Sequence, residues 1–122
     1  MQRTMEDYLK TIYLLGRGTS GVRGVTIADE LGVSRPTVCI IVRRLEEDGY
    51  VTKNAEHEIF LTERGCEIAK STLDRHQTLE TLLVELGVDQ KTAAEDACKM
   101  EHGVSRESFQ ALKRLTERED GT

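Results

Sequence analysis

No stretch of this chain approaches the ~20 consecutive apolar residues that a membrane-spanning helix needs. Its first ten residues, MQRTMEDYLK, contain no apolar block of the kind that marks a secretory leader. A cytoplasmic protein is therefore expected. Cysteine is scarce: Cys39, Cys66 and Cys98 are odd in number, far apart and without a CxxC pair. That excludes a disulfide framework and a zinc-ribbon pattern. The HExxH signature is missing too, so the usual helix-borne ligands and base of a zinc hydrolase are not provided. There is no internal repeat and no low-complexity segment.

The chain has 122 residues, 38% hydrophobic and 32% charged. That bounds it to one or two small, helix-rich domains with a polar surface. The net charge of −5 argues superficially against a nucleic-acid partner. Its distribution matters more: residues 1–66 hold nine Lys/Arg against ten Asp/Glu, and residues 67–122 hold eight against twelve. The acidic excess lies in the C-terminal half, either as a solvated surface or as a deficit that a divalent cation offsets.

Hydrophobic periodicity predicts a helix over 5–15, through Met5, Leu9, Ile12 and Tyr13, ending in a Gly-rich loop over 16–24. Val22 is placed to open a short strand. A short helix is predicted over 26–31, with Thr26 as its cap and Gly32 as its stop. Ser34 caps the next helix and Pro36 sits in its first turn, where a missing N–H does no harm. Val38, Ile41, Val42 and Leu45 form its inward stripe, and Gly49 ends it. Alternating residues predict strands over 50–53 and 58–61 joined as a hairpin. Helices follow over 62–86, 89–102 and from a Ser105 cap onward, with a polar, frayed end over 117–122.

Helix, short helix, tight turn, helix and hairpin is the order of a winged helix-turn-helix. Ala28 is small where two helices must approach, and Gly32 stands where the turn needs positive φ. The helix from Arg35 would place its N-terminal residues against base edges in a major groove. Arg35 can donate bidentately to guanine, while Pro36 and Ile40 can pack on thymine methyls. Ser34, Thr37, Cys39, Arg43 and the hairpin Lys53 are suited to phosphates, which position without specifying. His57 reads as a solvated loop residue. These positions also suit the surface of a winged helix that binds another protein.

Downstream, Cys98-Lys99-Met100-Glu101-His102 puts a thiol, a carboxylate and an imidazole at i, i+3 and i+4, positions that share a helix face. All three bind transition metals, the thiolate being soft, the imidazole borderline and the carboxylate hard. A buried small apolar cysteine beside a polar helix end would give the same spacing without a metal. A metal site and a DNA reader in one small chain point to a metal-sensing transcription factor.

The chain resembles the diphtheria toxin repressor and manganese transport regulator family of metal-dependent repressors. The resemblance runs from Met5-Glu6-Asp7-Tyr8-Leu9-Lys10-Thr11-Ile12-Tyr13 to about Leu115. It includes Ile27-Ala28-Asp29-Glu30-Leu31, Ser34-Arg35-Pro36-Thr37-Val38, Leu61-Thr62-Glu63-Arg64-Gly65, Arg75-His76 and Glu101-His102. It implies a mainly α fold: a winged helix-turn-helix DNA-binding domain over 1–70, then an all-α metal-binding and dimerisation domain over 71–122. The match is to the short form, without the SH3-like third domain of iron-type members. It further implies a homodimer that takes up Fe²⁺ or Mn²⁺, grips a palindromic operator and represses metal-homeostasis genes.

The ligands implied by the resemblance are mixed. Asp7 stands where manganese-type members have aspartate, and Cys98 where iron-type members have cysteine. Glu101, His102 and His76 match both types, and Glu80 matches an iron-type ligand. Lys10 takes the place of a manganese-type carboxylate and Ala94 that of an iron-type histidine. One well-formed site is expected from Asp7, Cys98, Glu101 and His102. A second, from His76 and Glu80, is expected to be weak or absent, and Fe²⁺ to be slightly favoured over Mn²⁺. The main alternative is a winged-helix regulator that ignores metal and senses oxidants through a cysteine; an enzyme is not expected.

Overall fold

The computed structural model describes residues 2–120, without the side chains of 118–120. The fold is mainly α, and the chain divides into two compact units, one reaching Ser71 and the other starting at Thr72. The division falls within a single helix.

The first unit begins with α1 (Arg3–Gly16), whose Tyr8, Leu9 and Ile12 are buried. Arg17 ends it in the left-handed region at φ 52°. A two-residue strand, β1 (Val22–Arg23), leads directly into α2 (Gly24–Leu31). This corrects the expected start: the residue before the helix is the extended Arg23, not Thr26, which lies inside α2. Strand and helix adjoin here, so no separate side-chain cap marks the boundary. Gly32 follows at φ 67°, and its N–H bonds to the Ala28 carbonyl. A side chain at that φ is strained, so the turn into the next helix depends on glycine.

α3 (Arg35–Glu47) buries Val38, Val42 and Leu45. Its start is built as the sequence predicts: the Ser34 hydroxyl accepts from the Thr37 N–H at 3.2 Å, with Pro36 in the first turn. The hairpin β2 (Val51–Lys53) and β3 (Glu58–Leu61) follows. The sheet order is β1-β3-β2, all antiparallel, with Val22 opposite Ile59 and Val51 opposite Leu61. Asn54 organises the hairpin turn, its Oδ1 accepting from the N–H groups of Glu56 and Glu58 at 3.1 and 2.9 Å. The core joins Leu9, Ile12, Ile27, Val38, Val42, Leu45, Val51, Ile59 and Ala69.

α4 (Glu63–Glu85) is seated at its N-terminal end by Thr62, whose hydroxyl donates to the Gly49 carbonyl at 2.7 Å and accepts from the Gly65 N–H at 3.2 Å. A Cβ on Gly65 would lie 2.0 Å from the Tyr50 carbonyl oxygen, so only glycine permits this close seating.

The second unit holds the later part of α4, α5 (Gln90–Met100) and α6 (Arg106–Asp120). Asp89 caps α5, accepting from the Thr92 N–H at 3.1 Å; hydrogen bonds from the Thr92 side chain first, and then from its N–H, hold the carboxyl below the usual carboxylate range. α5 ends earlier than expected, at Met100; Glu101 is its cap residue and His102 lies in the turn beyond. Ser105 accepts from the Ser108 N–H at 3.1 Å and so starts α6 as predicted. α6 continues through Glu117 to Asp120 where a frayed end was expected. Its Glu- and Arg-rich end carries good helix formers. Residues 121 and 122, the rest of that expected polar end, lie outside the described residues. The buried set of this unit is small: Thr72, Thr78, Leu79, Ala93, Ala97, Glu101 and Phe109. Leu86 and Leu115 are left 80% and 49% exposed.

Candidate functional site

Side chains of the types that can bind a metal gather around one carboxylate in the second unit. Glu101 is 1% exposed, the only acidic residue among the buried polar side chains described. Its Oε2 lies 3.1 Å from His76 Nδ1 and its Oε1 lies 3.1 Å from His102 Nε2. Each oxygen thus faces a different imidazole. A buried carboxylate is costly unless it is paired and hydrogen-bonded, and two imidazoles meet that need here.

Cys98, one helical turn before Glu101, has its Sγ 3.8 Å from the same Nδ1 of His76. The thiol, the imidazole nitrogen and the Glu101 oxygen all fall within 4.8 Å of one another. Donors on one ion at bond lengths of ~2.0–2.3 Å lie roughly 3–3.7 Å apart. The set therefore fits a single divalent ion with small adjustments, and its S, N and O donors suit a first-row transition metal.

The far side of His76 is also fixed. Its Nε2 lies 3.0 Å from Glu80 Oε2, one turn along α4. Glu80 in turn accepts a short hydrogen bond from the Gln90 amide at the start of α5. Without an ion, Nδ1 must carry a proton to donate to Glu101; with an ion on Nδ1, the proton would sit on Nε2 and donate to Glu80, which orients the ring. Gln90 was not singled out in the sequence. Its part depends on α5 meeting α4, which no local pattern announces.

The sequence grouped Cys98, Glu101 and His102 with Asp7 and set His76 and Glu80 apart. Within the second unit, the structure brings His76, Glu80, Cys98 and Glu101 together, and His102 joins through the other Glu101 oxygen. Ala94, half-buried on α5, offers no ligand atom. Asp7 lies on α1 of the first unit, with its carboxylate 3.9 Å from Arg3 Nε and 4.0 Å from Lys10 Nζ.

In the first unit, the residues expected to meet DNA lie on the outer side of α3 and on the hairpin. Ser34, Arg35, Pro36, Thr37, Cys39, Ile40 and Arg43 are exposed, as is Lys53 on β2. Ile40, at 68%, is a large apolar side chain with no core role. The hydroxyls of Ser34 and Thr37 lie 2.7 Å apart, and one donates to the other. The second hydroxyl proton of the pair is thereby left for an outside acceptor such as a phosphate. Cys39 and Lys53 line one hollow of about 200 Å³ between α3 and the hairpin, with His57 at its edge.

The N-terminal DNA-binding domain of the iron-dependent repressors matches residues 1–57, and their metal-binding and dimerisation domain matches residues 62–119. A helix-turn-helix-type transcriptional regulator of Methanocaldococcus jannaschii is 39% identical over 120 residues, covering 97% of this chain and 96% of its own. The chain belongs to the iron-dependent repressor family. The transcriptional regulator MntR of Escherichia coli is 37% identical over 114 residues, covering 93% of this chain and 74% of the relative. Among solved structures, the manganese regulator SloR superposes with a TM-score of 0.82 at 30% identity. The alignment takes in 96% of this chain and 55% of SloR, so this chain spans about half the length of that relative. This is a family of metal-dependent transcriptional regulators rather than enzymes. The two matched domains make this chain a DNA-binding, dimer-forming member that uses a divalent metal. Among the described residues, no helix is long and apolar enough to cross a membrane.

Proposed function

We propose that this protein is a cytoplasmic repressor that binds a palindromic operator as a homodimer when loaded with Fe²⁺ or Mn²⁺, and so controls metal-homeostasis genes. The observation that carries the proposal is the buried Glu101 carboxylate held between two imidazoles, with a thiol beside one of them. His76 Nδ1, Cys98 Sγ and Glu101 are the proposed donors, with His102 on the second Glu101 oxygen. Glu80 orients His76 and holds its Nε2 proton. Asp7 enters as a ligand on the family resemblance.

When bound, the ion supplies a compact positive charge that cross-links these donors. The chain's own part is to hold a buried carboxylate and two imidazoles in place beforehand. Relatives named for manganese favour Mn²⁺, whereas the Cys98 thiolate favours Fe²⁺. Both ions are therefore proposed as activators, with Fe²⁺ slightly ahead. The small apolar core of the second unit and the exposed Leu86 and Leu115 fit a unit that covers more apolar surface as a dimer.

On DNA, Arg35, Pro36 and Ile40 read bases, while Ser34, Thr37, Cys39, Arg43 and Lys53 face the backbone. Two recognition helices of a dimer must fit successive major grooves about 34 Å apart. Coupling between metal and operator binding is necessarily reciprocal. The test is anaerobic titration of the metal-free dimer with Mn²⁺, Fe²⁺, Co²⁺ and Zn²⁺, reading operator affinity. Metal is expected to switch binding on and chelator to abolish it. Equal affinity with and without EDTA overturns the reading.

A further inference from the structure

We propose that Arg75 is a positioning residue for the metal centre, anchoring the turn that carries Glu101 and His102. This rests on the metal-centre reading above and extends it to a residue that ligates nothing. Arg75 Nη1 donates to the Glu101 carbonyl at 3.2 Å and to the Val104 carbonyl at 2.6 Å. Its guanidinium also lies 5.3 Å from the centroid of the Phe109 ring, and Phe109 is buried on α6.

One cation thus ties α4, the turn after α5 and the start of α6. The last carbonyls of a helix have no partner within it, and a basic side chain there satisfies them and complements the helix dipole. What distinguishes this contact is its neighbour. Arg75 and His76 are consecutive on α4 and hold the same residue from two ends: Arg75 takes the Glu101 backbone carbonyl, and His76 Nδ1 takes the Glu101 carboxylate. With the backbone anchored, the carboxylate is delivered between His76 and His102 rather than searching for that position. Such outer partners typically set metal affinity by 10–100-fold. Both carbonyl bonds leave one nitrogen, which an ammonium could imitate, but lysine lacks the planar guanidinium that lies over the Phe109 ring at the same time.

The experiment measures Co²⁺ dissociation constants and visible absorption bands for wild type, Arg75→Met and Arg75→Lys. Thermal melting of each metal-free protein is recorded alongside. Arg75→Met is expected to bind Co²⁺ about 10–100-fold more weakly, with altered bands, and Arg75→Lys to recover only part of the loss. If Arg75→Met does not fold, Arg75→Lys decides, with weakening of about tenfold expected. A lowered melting temperature with wild-type Co²⁺ affinity and spectrum shows a purely structural role and overturns the proposal. Failure of the wild type itself to bind Co²⁺ overturns the metal-centre reading, and this role falls with it. Wild-type binding that neither variant disturbs overturns the Arg75 role alone.

Discussion

Replacing Glu101 by glutamine separates the chemistry of the centre from its packing. The two side chains have nearly the same volume, so E101Q opens no cavity. In the metal-free protein, two hydrogen bonds to a charged acceptor at 3.1 Å become bonds to an amide. Bonds to charged groups contribute ~1.5–3 kcal/mol and neutral ones ~0.5–1.5, so the two together lose about 2 kcal/mol. Against that, E101Q relieves the desolvation of a buried carboxylate, a term of several kcal/mol. The metal-free melting temperature should therefore fall by no more than ~8 °C, and can rise. Metal binding should behave differently. The amide NH₂ must donate to one of the two imidazoles, and the nitrogen that accepts it no longer offers its lone pair to an ion. A charged ligand is lost at the same time. Outer-shell changes cost 10–100-fold, so loss of a direct ligand should exceed 100-fold, or ~2.7 kcal/mol. Thermal melting with and without Mn²⁺ or Co²⁺ reads both effects. For the wild type, metal at 100 times its dissociation constant adds about 2.7 kcal/mol of stability. E101Q should show almost no shift at the same concentration. An E101Q dissociation constant within tenfold of wild type would refute the assignment of Glu101 as a ligand.

Cys98→Glu exchanges the soft donor for a hard one, so the ratio of Fe²⁺ to Mn²⁺ affinity should move toward Mn²⁺; an unchanged ratio in competition titrations would show that the sulfur does not set metal choice. Arg35→Ala should cost ~1–3 kcal/mol at a single base position and relax the preferred sequence. Lys53→Ala should weaken all duplexes about equally and reduce the salt slope by ~1. Binding-site selection with each variant separates these outcomes, and an unaltered preferred sequence for Arg35→Ala would make Arg35 a phosphate clamp.

Much of the first unit was legible because its signals are local. Ser34, Pro36 and Gly32 each act within a few residues, and the Val38/Val42/Leu45 stripe repeats at the helical period. The hairpin was legible for the same reason. The place of β1 was not: Val22 was read as a strand opener, but nothing local pairs it with Ile59 across 37 residues of sequence. The candidate metal centre divides along the same line. Cys98 and Glu101 were found by their spacing on one element. His102 was expected on the same helix, yet α5 closes at Met100 and its imidazole approaches Glu101 from a turn. Three backbone groups beyond the helix take other partners there: the Gly103 N–H bonds the Met100 carbonyl at 3.0 Å, and Arg75 holds the Glu101 and Val104 carbonyls. His76 was recognised only through the family resemblance, because periodicity reports neighbours on one helix and not a partner 25 residues away.

The unequal burial of the centre bears on how such a protein can diverge. Cys98 is exposed at the surface of α5, whereas Glu101 is sealed within the second unit. A new side chain at position 98 meets little steric resistance, so single-codon drift there can retune which ion the protein answers to. Position 101 has less latitude, since a side chain other than glutamate there takes the carboxylate away from two imidazoles at once. On the proposed ligand set, metal preference is the trait that one substitution can change, and the need for a metal is not.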